Sequence, residues 1–465
     1  MLNKEEIQNI LKISIEKGFD FAEIFLEDTL DKNLKIINEE IVAYKTNYIF
    51  GVGIRLLKNS EEIYIYTNEV NYEKILNLIS DLKIKDKNNK KKEMILIPLG
   101  AKKTFKNNYK KIFNSMKIDE KKDIMFHLSK KMLEYSKYII KTIINLEEKE
   151  QKILIANSKG IYQDDLRTYI RCSLIAISKK NQNLQEFHDS IGYSTTDYNF
   201  FNMTNLEAKA IKVASNAIIL LKAIELKPQK MPVVINNGVG GVIFHEACGH
   251  SLEATAIAKG LSPFCKKINK KIASELITAF DDGTIKKAWG SLNIDDEGIP
   301  TQKNILINKG ILKNYLIDYR NSIKMNMKPT GSARRESYKY SPTSRMNSTY
   351  IESGEDKPEK IIEDTSYGLY AENLGGGTVL TTTGEFNFMV KLGYLIENGK
   401  LTKPVRDMML IGYGQDILFQ IDRVGNDLKF SQGYCGSISG YVPVDIGQPT
   451  IRVKEMIVGG NKKNE

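Results

Sequence analysis

The chain has 465 residues, of which 42% are hydrophobic and 27% are charged, and this composition indicates a folded globular protein rather than a disordered one. Its length exceeds the size at which a single core keeps growing, so we expect two domains. The formal net charge of +11 could suggest nucleic-acid binding, but the lysines are spread along the whole chain. Because a nucleic-acid footprint needs basic residues on one face of a recognisable module, we predict no nucleic-acid partner.

Targeting signals and cysteine usage point to one compartment. The N-terminus lacks the apolar stretch of a signal peptide, and no apolar run approaches the ~20 residues that a membrane-spanning helix needs. Cys172, Cys248, Cys265 and Cys435 lie far apart, which favours reduced thiols over a disulfide framework. We therefore predict a cytoplasmic protein without a membrane partner.

Helical and strand patterns alternate in the first half of the chain. Apolar residues recur every three or four positions in the predicted helices, which cover residues 5–16, 72–82, 118–138 and 205–221. β-like runs predict strands over residues 21–26, 34–37, 51–57 and 62–66. Alternation across residues 138–177 predicts a hairpin with its turn at 157–160, and the polar stretch 83–108 is predicted to be a loop.

A change in composition near residue 225 predicts a domain boundary. The polar stretch 225–230 contains Pro228, and short strand-like runs joined by Gly and Asp turns follow it. The predicted fold class is α+β. An N-terminal mixed domain with an antiparallel sheet covers residues 1–225, and a β-rich C-terminal domain carrying a metal-binding helix covers residues 226–465.

The candidate metal motif follows a predicted strand at residues 232–237. A predicted helix over residues 242–254 carries His245, Glu246 and His250. Zinc peptidases of the H-E-x-x-H type place their histidines four residues apart, on one helical face. At about 100° per residue, a spacing of five separates the side chains by roughly 140° rather than roughly 40°. Both rings reach one ion only if the helix widens, so we predict a π-type turn near Gly249, a residue without a Cβ that tolerates unusual dihedrals.

A catalytic zinc site has three protein ligands and one open position, so the two histidines need a third partner. Cys435 lies in a glycine-flanked turn and would offer a thiolate, which is a good zinc ligand. We rank it ahead of Glu253, with Cys248 third. Glu246 is predicted to be the general base that accepts a proton from zinc-bound water. The alternative is that Glu246 only orients a ligand histidine.

Motifs along the whole chain resemble the PmbA/TldD family of modulators of peptide maturation, specifically its metal-bearing TldD branch. They lie at residues 51–56, 66–68, 240–253, 281–284, 290–298, 330–331, 334–338, 345–350, 375–377, 394–399 and 424–427. One departure concerns the turn after Cys435 and Gly436, where the family often has Lys followed by Gly-Gln and this chain has Ser437-Ile438-Ser439-Gly440.

The resemblance implies a metallopeptidase that acts on unfolded peptides, such as antibiotic-peptide precursors and antitoxin-like proteins. It implies zinc ligation by His245, His250 and Cys435, with Glu246 catalytic. It also implies a dimer that encloses a cavity, formed with a related subunit that has lost the metal motif or with a second copy. The N-terminal domain would form this dimer and cavity. This chain retains the motif and would be the catalytic partner.

Further motifs have two interpretations each. Residues 375–377 are three glycines. They would either let a substrate peptide add to a strand edge or form a plain loop. Arg334, Arg335 and Arg345 would hold substrate carbonyls or form structural ion pairs, and we favour the ion pairs. A competing hypothesis for the whole protein is a non-catalytic zinc-stabilised regulator or peptide-binding scaffold. Its site would be closed by a fourth ligand, either Cys248 or Glu253.

Overall fold

The computed structural model describes residues 2–82, 96–105, 116–194, 200–380 and 382–460. Its helices are α1 Lys4–Glu16, α2 Tyr72–Ser80, α3 Ile118–Glu134, α4 Phe200–Met203, α5 Leu206–Leu220, α6 Val242–Phe244, α7 Ala254–Ile257, α8 Tyr319–Met325, α9 Pro358–Glu363 and α10 Gly414–Gln420. The four helices predicted in the first half are confirmed as α1, α2, α3 and α5. None of the described helices is long and apolar enough to cross a membrane.

The strands outnumber the helices in both halves of the chain. They are β1 Phe21–Ile37, β2 Glu40–Lys58, β3 Glu61–Thr67, β4 Lys103–Phe105, β5 Ile139–Asn157, β6 Tyr162–Lys180, β7 Asn183–Tyr193, β8 Gln229–Ile235, β9 Ala279–Asp282, β10 Lys303–Asn308, β11 Ile311–Leu312, β12 Ala333–Arg334, β13 Thr343–Ser344, β14 Ser348–Ile351, β15 Tyr367–Leu380, β16 Glu385–Glu397, β17 Lys400–Val405, β18 Met408–Tyr413, β19 Ile421–Val424, β20 Lys429–Ser437, β21 Gly440–Gln448 and β22 Ile451–Gly460. The mixed α and β, strand-rich character predicted from the sequence is thus observed.

The N-terminal sheet has the order β3-β2-β1-β5-β6, and both β7 and β4 pair with β6. All of these pairings are antiparallel except that of β4 with β6. The two strands predicted at 21–26 and 34–37 are one continuous strand, β1. Its polar middle has no clear strand pattern, but it pairs with β2 on one side and β5 on the other. Neighbouring strands therefore override the weak local propensity.

Helices cover parts of this sheet. Helices α3 and α5 pack on β5, β6 and β7 through a core that includes Met125, Leu128 and Val213. Helices α1 and α2 form a second core with β1 and β2, in which Ile10, Ile54 and Ile75 are buried. The amphipathic stripes seen in the sequence are the surfaces that these helices bury.

Two local predictions for this domain have different outcomes. The hairpin turn at 157–160 is confirmed, since β5 ends at Asn157 and Gly160 adopts a φ of +85° that favours glycine. The predicted loop at 83–108 lies outside the described residues at 83–95 and 106–108. Within its described part, residues 103–105 form β4 rather than loop, because they pair with β6 at residues 163–165.

The C-terminal half is built from two large mixed sheets. One has the order β11-β10-β9-β14-β21-β20, with β20 at its described edge. The other has the order β15-β8-β22-β18-β16-β17, and an additional pairing of β15 with β16 closes five of its strands into a barrel. β8 corresponds to the strand predicted at 232–237. The largest hydrophobic cluster of the described chain lies among these strands.

Buried ion pairs join the two halves. Arg55 of β2 is almost fully buried and contacts both Glu62 and Glu297. Arg335 contacts Glu23 of β1 at 2.7 Å, and both side chains are fully buried. Removing one partner from such a pair leaves a buried charge uncompensated, which is strongly destabilising. These pairs therefore couple the stability of the C-terminal half to that of the N-terminal sheet.

Replacing Arg55 by methionine tests this contribution. Arg55→Met removes the cation that compensates Glu297, so we expect the free energy of unfolding to fall by about 3–5 kcal/mol. Lys271→Met is the control, because Lys271 and its partner Glu275 are exposed and such pairs contribute at most ~1 kcal/mol. Urea unfolding followed by circular dichroism measures both variants, and equal effects would contradict the role given to Arg55.

Candidate metal centre

The segment after β8 approaches the core as a chain of short turns. A 3₁₀ turn at Gly238–Gly241 leads into α6, a π turn at His245–Gly249 and a second 3₁₀ turn at His250–Leu252. Gly241 packs so closely on Gly447 of β21 that a Cβ would lie 2.7 Å from its backbone nitrogen. The segment predicted as one helix over 242–254 is therefore observed as a series of short helical turns. The chain changes helical type within it, and Glu253 has extended dihedrals.

The predicted widening of the helix is confirmed. The backbone N–H of His250 donates to the carbonyl of His245, which is the i→i+5 bond that defines a π turn. The two imidazole rings have centroids 5.1 Å apart and lie nearly perpendicular to each other. The wider turn therefore brings to one side two residues that a regular α-helix would point in different directions.

Gly249 serves this turn for a different reason from the one predicted. Its φ and ψ are both −54°, which is ordinary helical backbone that any residue adopts. A Cβ at this position would instead lie 2.1 Å from Sδ of Met346, which is fully buried. Glycine is needed here because Met346 occupies the space of a side chain.

Cys435 completes the cluster from a distant part of the sequence. It lies on β20, which forms a tight hairpin with β21 through the pair Ser437 and Gly440. Its Sγ is 3.3 Å from Nε2 of His245 and 3.2 Å from Nε2 of His250, and the three donor atoms lie within 4.8 Å of one another. Tetrahedral zinc with Zn–S and Zn–N bonds of ~2.3 and ~2.0 Å separates its donors by about 3.5 Å, so these residues fit that ion.

The electrostatics of the cluster favour a thiolate. Burial alone would raise the pKa of the Cys435 thiol, but the charges of His245 and His250 and their hydrogen bonds to Sγ hold it well below its usual range. A deprotonated sulfur is the form that binds a metal. Two imidazoles and a thiolate form a donor set suited to zinc.

The other two ligand candidates lie elsewhere. Cys248 is buried, burial raises the pKa of its thiol, and it does not join the metal-binding cluster found among the described residues. Glu253 lies behind His250, with Oε1 3.2 Å from the Nδ1 that faces away from Cys435. Of the three candidates, the structure brings Cys435 to the histidines.

Glu246 faces the open side of the cluster. Its Oε2 is 3.6 Å from Nε2 of His250, the nitrogen that also faces Cys435, and its side chain is 24% exposed. The carboxylate lies beside the three-donor group without being a member of it. This placement agrees with a proton-accepting role and leaves that role to be tested.

The predicted arginines have structural partners. Arg334 donates to the carbonyl of Met346, and Arg345 donates to the carbonyls of Cys435 and Gly440. All three arginines are at most 3% exposed. Arg335 and Arg345 lie at ion-pair distance from Glu23 and Glu253, as preferred, whereas Arg334 has no ion pair among the described residues. No local pattern predicts the contact of Arg345 with the Cys435 hairpin, because the two residues lie 90 positions apart along the chain.

Trp289, the only tryptophan of the chain, is buried and supports β20. Its Nε1 donates to the carbonyl of Gly433 at 3.0 Å, and its ring contacts Tyr169 of β6 and Tyr434 edge to face. The aspartate pairs 281–282 and 295–296 are buried acceptors for backbone N–H groups. Within the described residues neither pair belongs to a metal-binding group.

Adding a methyl group at Gly249 tests the geometry of the turn. Gly249→Ala should displace Met346 and strain the π turn, lowering stability by about 1–3 kcal/mol and zinc affinity at least tenfold. The double variant Gly249→Ala/Met346→Ala restores the space and should regain most of the metal affinity. Gly376→Ala is the control, because a Cβ there would meet no atom within 4 Å. Unchanged zinc affinity in Gly249→Ala would contradict this role.

Comparison with known proteins agrees with the site. Models of the PmbA/TldA metallopeptidase match domain 1 at residues 22–83, the central domain at 111–221 and the C-terminal domain at 228–460. A metalloprotease TldD homolog from Buchnera aphidicola (subsp. Acyrthosiphon pisum) is 33% identical over 477 residues, covering 99% of this chain and 96% of that protein. A zinc metalloprotease TldD homolog from Saccharolobus solfataricus is 30% identical over 56% of this chain and 58% of its own length.

A solved structure shows the same fold. The crystal structure of TldE from Thermococcus kodakarensis superposes with a TM-score of 0.72 at 19% identity, covering 98% of this chain and all of that one. The resemblance seen in the sequence motifs is thereby confirmed over the length of the chain. With two histidines and a cysteine brought together as a metal-binding cluster, this chain belongs to the PmbA/TldD family of metallopeptidases.

Proposed function

We propose that this metallopeptidase is zinc-dependent and hydrolyses unfolded peptides or small disordered proteins, with Glu246 as its general base. The observation that carries the proposal is the convergence of His245, His250 and Cys435, with the Glu246 carboxylate on their exposed side. Zinc held there would polarise the scissile carbonyl and lower the pKa of a bound water toward ~7. A relative named as a zinc metalloprotease supports the choice of metal.

In this mechanism Glu246 moves the protons. Its carboxylate accepts the proton of the attacking water and then donates it to the leaving amine of the cleaved peptide bond. Partial exposure lets Glu246 reach the incoming peptide, whereas His245 and His250 stay fixed by the π turn. Glu246 therefore acts at the reacting atoms, and the histidines act only as ligands.

The glycine-rich part of β15 supports an extended peptide as substrate. Residues 369–371 of β15 pair with β8, and the strand then continues past the end of β8. Gly376 and Gly377 lie in this exposed continuation, and β15 also packs against the π turn. An unfolded peptide could add its backbone to such an edge without dependence on its side chains, which suits disordered substrates such as peptide precursors and antitoxin-like proteins.

An unpaired strand edge supports assembly into a dimer that encloses the site. β2 pairs with β1 along its length, but among the described strands β3 covers only residues 52–58 of its other edge. In the uncovered part Ile41 and Val42, which lie at an irregularity in the pairing with β1, are both more than 40% exposed. Open apolar edges recruit further strands. We propose that a related metal-less subunit or a second copy of this chain pairs with the open edge of β2.

The scaffold alternative needs a closed metal site. Four protein ligands make a structural zinc site, whereas three leave a position for water. Within the described residues only three donors gather, and Cys248 and Glu253 lie outside the group. This favours catalysis over a purely structural zinc. A scaffold remains the expected alternative if Glu246 proves dispensable for peptide cleavage.

Metal analysis of purified variants separates ligands from base. His245→Ala and Cys435→Ala should lose zinc, whereas Glu246→Gln should keep it and lose peptide cleavage by about 10²–10⁴-fold. Cleavage is measured on labelled, unfolded casein, and zinc is measured by atomic emission. Cys265→Ala is the control, since Cys265 lies outside the cluster and should retain both properties. Full zinc occupancy in Cys435→Ala, or cleavage by Glu246→Gln, would overturn the corresponding assignment.

A charge placed on the open edge of β2 tests the dimer. Ile41→Lys should weaken association at least tenfold, because the ammonium would be desolvated on pairing. Sedimentation velocity measures the chain alone and mixed with its related subunit. Ile323→Lys on α8 is the control, as Ile323 is also about half exposed but lies away from this edge. Equal association of the two variants would exclude the β2 edge as the interface.

A further inference from the structure

We propose that Glu253 and Arg345 are a positioning pair for the metal centre. Glu253 orients the ligand histidine His250, and Arg345 ties Glu253 to the hairpin that carries Cys435. This inference rests on the zinc site proposed above. It adds a specific claim, namely that ligands from two distant segments are held in register by one buried ion pair.

Glu253 contacts the rear nitrogen of His250. The Nε2 of that ring faces Cys435, whereas Nδ1 lies 3.2 Å from Oε1 of Glu253, at ion-pair distance and without the alignment of a hydrogen bond. A small rotation of either side chain would complete the bond. An imidazole that donates its Nδ1–H to a carboxylate keeps the lone pair of Nε2 directed at the metal and becomes a stronger ligand. Glu253 is itself fixed, because the next residue, Ala254, donates its N–H to the carbonyl of Leu316 at 2.8 Å.

The two ligand histidines differ in this support. Nδ1 of His245 is buried and has no hydrogen-bond partner among the described residues. His245 is instead held by packing, since its side chain is only 2% exposed. Both rings contact Cys435 through Nε2, but only His250 also has a polar contact at Nδ1 among the described residues. His250 is therefore the ligand that removal of Glu253 should release.

Arg345 connects Glu253 to the Cys435 hairpin. Its Nη2 donates to the carbonyl of Cys435, and its Nη1 donates to Ser439 Oγ and to the carbonyl of Gly440, each at 2.9 Å. Its Nε has no hydrogen-bond partner within the described chain, and it lies 3.9 Å from Oε1 of Glu253. One guanidinium thus holds both ends of the hairpin turn and supplies the buried cation that compensates the carboxylate.

The loop of the Cys435 hairpin contains a serine that bonds Arg345. The loop sequence Ser437-Ile438-Ser439-Gly440 departs from the pattern common in the family, yet Ser439 is fully buried. Besides accepting from Arg345, its hydroxyl hydrogen-bonds Thr343 Oγ1 at 3.0 Å, and its carbonyl accepts from the N–H of Glu336. The loop is therefore anchored through Ser439, and Arg345 transmits that anchoring to the metal ligand.

Neither residue is placed to act on substrate. Arg345 is fully buried, and the carboxylate of Glu253 lies beside Nδ1 of His250, on the side of the ring away from Cys435. A direct catalytic role would require access to the open side of the cluster, where Glu246 lies. Both are therefore positioning residues.

The test measures metal binding and coordination geometry rather than activity alone. We expect Glu253→Ala to weaken zinc binding 10–100-fold in competition with a chromophoric chelator. In the Co²⁺-substituted protein it should shift the d–d absorption bands, because His250 is no longer oriented. Glu253→Gln keeps an acceptor for Nδ1–H and should restore most of the affinity. Arg345→Lys loses the forked contact to the hairpin and should weaken the cobalt–thiolate charge-transfer band.

The matched control is a buried ion pair away from the metal. Glu23 pairs with Arg335 at 2.7 Å and is equally buried, so Glu23→Ala should lower thermal stability but leave the zinc affinity and cobalt spectrum unchanged. If Glu253→Ala behaves like Glu23→Ala while Cys435→Ala abolishes zinc binding, the positioning role is overturned and the zinc site stands. If Cys435→Ala keeps full zinc occupancy, the proposed site itself fails.

Discussion

The metal centre depends on one backbone hydrogen bond, from the N–H of His250 to the carbonyl of His245. An α-helical bond at this point would rotate one imidazole away from the other. The absence of a Cβ at Gly249 leaves room for Met346 beside the wider turn, so that a residue far along the chain packs directly on it. The spacing of five residues and the packing around the turn are therefore parts of a single requirement.

The sulfur ligand imposes a second constraint on the fold. Cys435 lies 190 residues after His245, on a strand at the described edge of its sheet. An edge strand needs support from elsewhere, and here Trp289 bonds the carbonyl of Gly433 while Tyr169, from the N-terminal sheet, packs on Trp289. The position of Cys435 thus depends on both halves of the chain, and the site cannot form from the local motif alone.

The sequence predicted the parts of the structure that depend on local periodicity or on metal chemistry. Amphipathic stripes identified α1, α2, α3 and α5, and the wrong spacing for an α-helix identified the π turn. The polar middle of β1 escaped prediction because only its neighbours, β2 and β5, make it a strand. Arg345 was placed among structural ion pairs, but nothing along the chain connects it with Glu253 or with Ser439.

Two carboxylates flank one imidazole, and their surroundings separate their roles. Glu246 reaches the Nε2 side of His250 and is partly exposed, so it can exchange protons with water and with substrate. Glu253 reaches the Nδ1 side, where burial beside Arg345 keeps it as a fixed charge. Four residues before and three residues after His250, the chain thus provides a partly exposed carboxylate, which is the proposed general base, and a buried carboxylate, which is the proposed orienting group. The change from the 3₁₀ turn at His250–Leu252 to extended backbone at Glu253 places the second carboxylate on the Nδ1 side of the ring, away from Cys435.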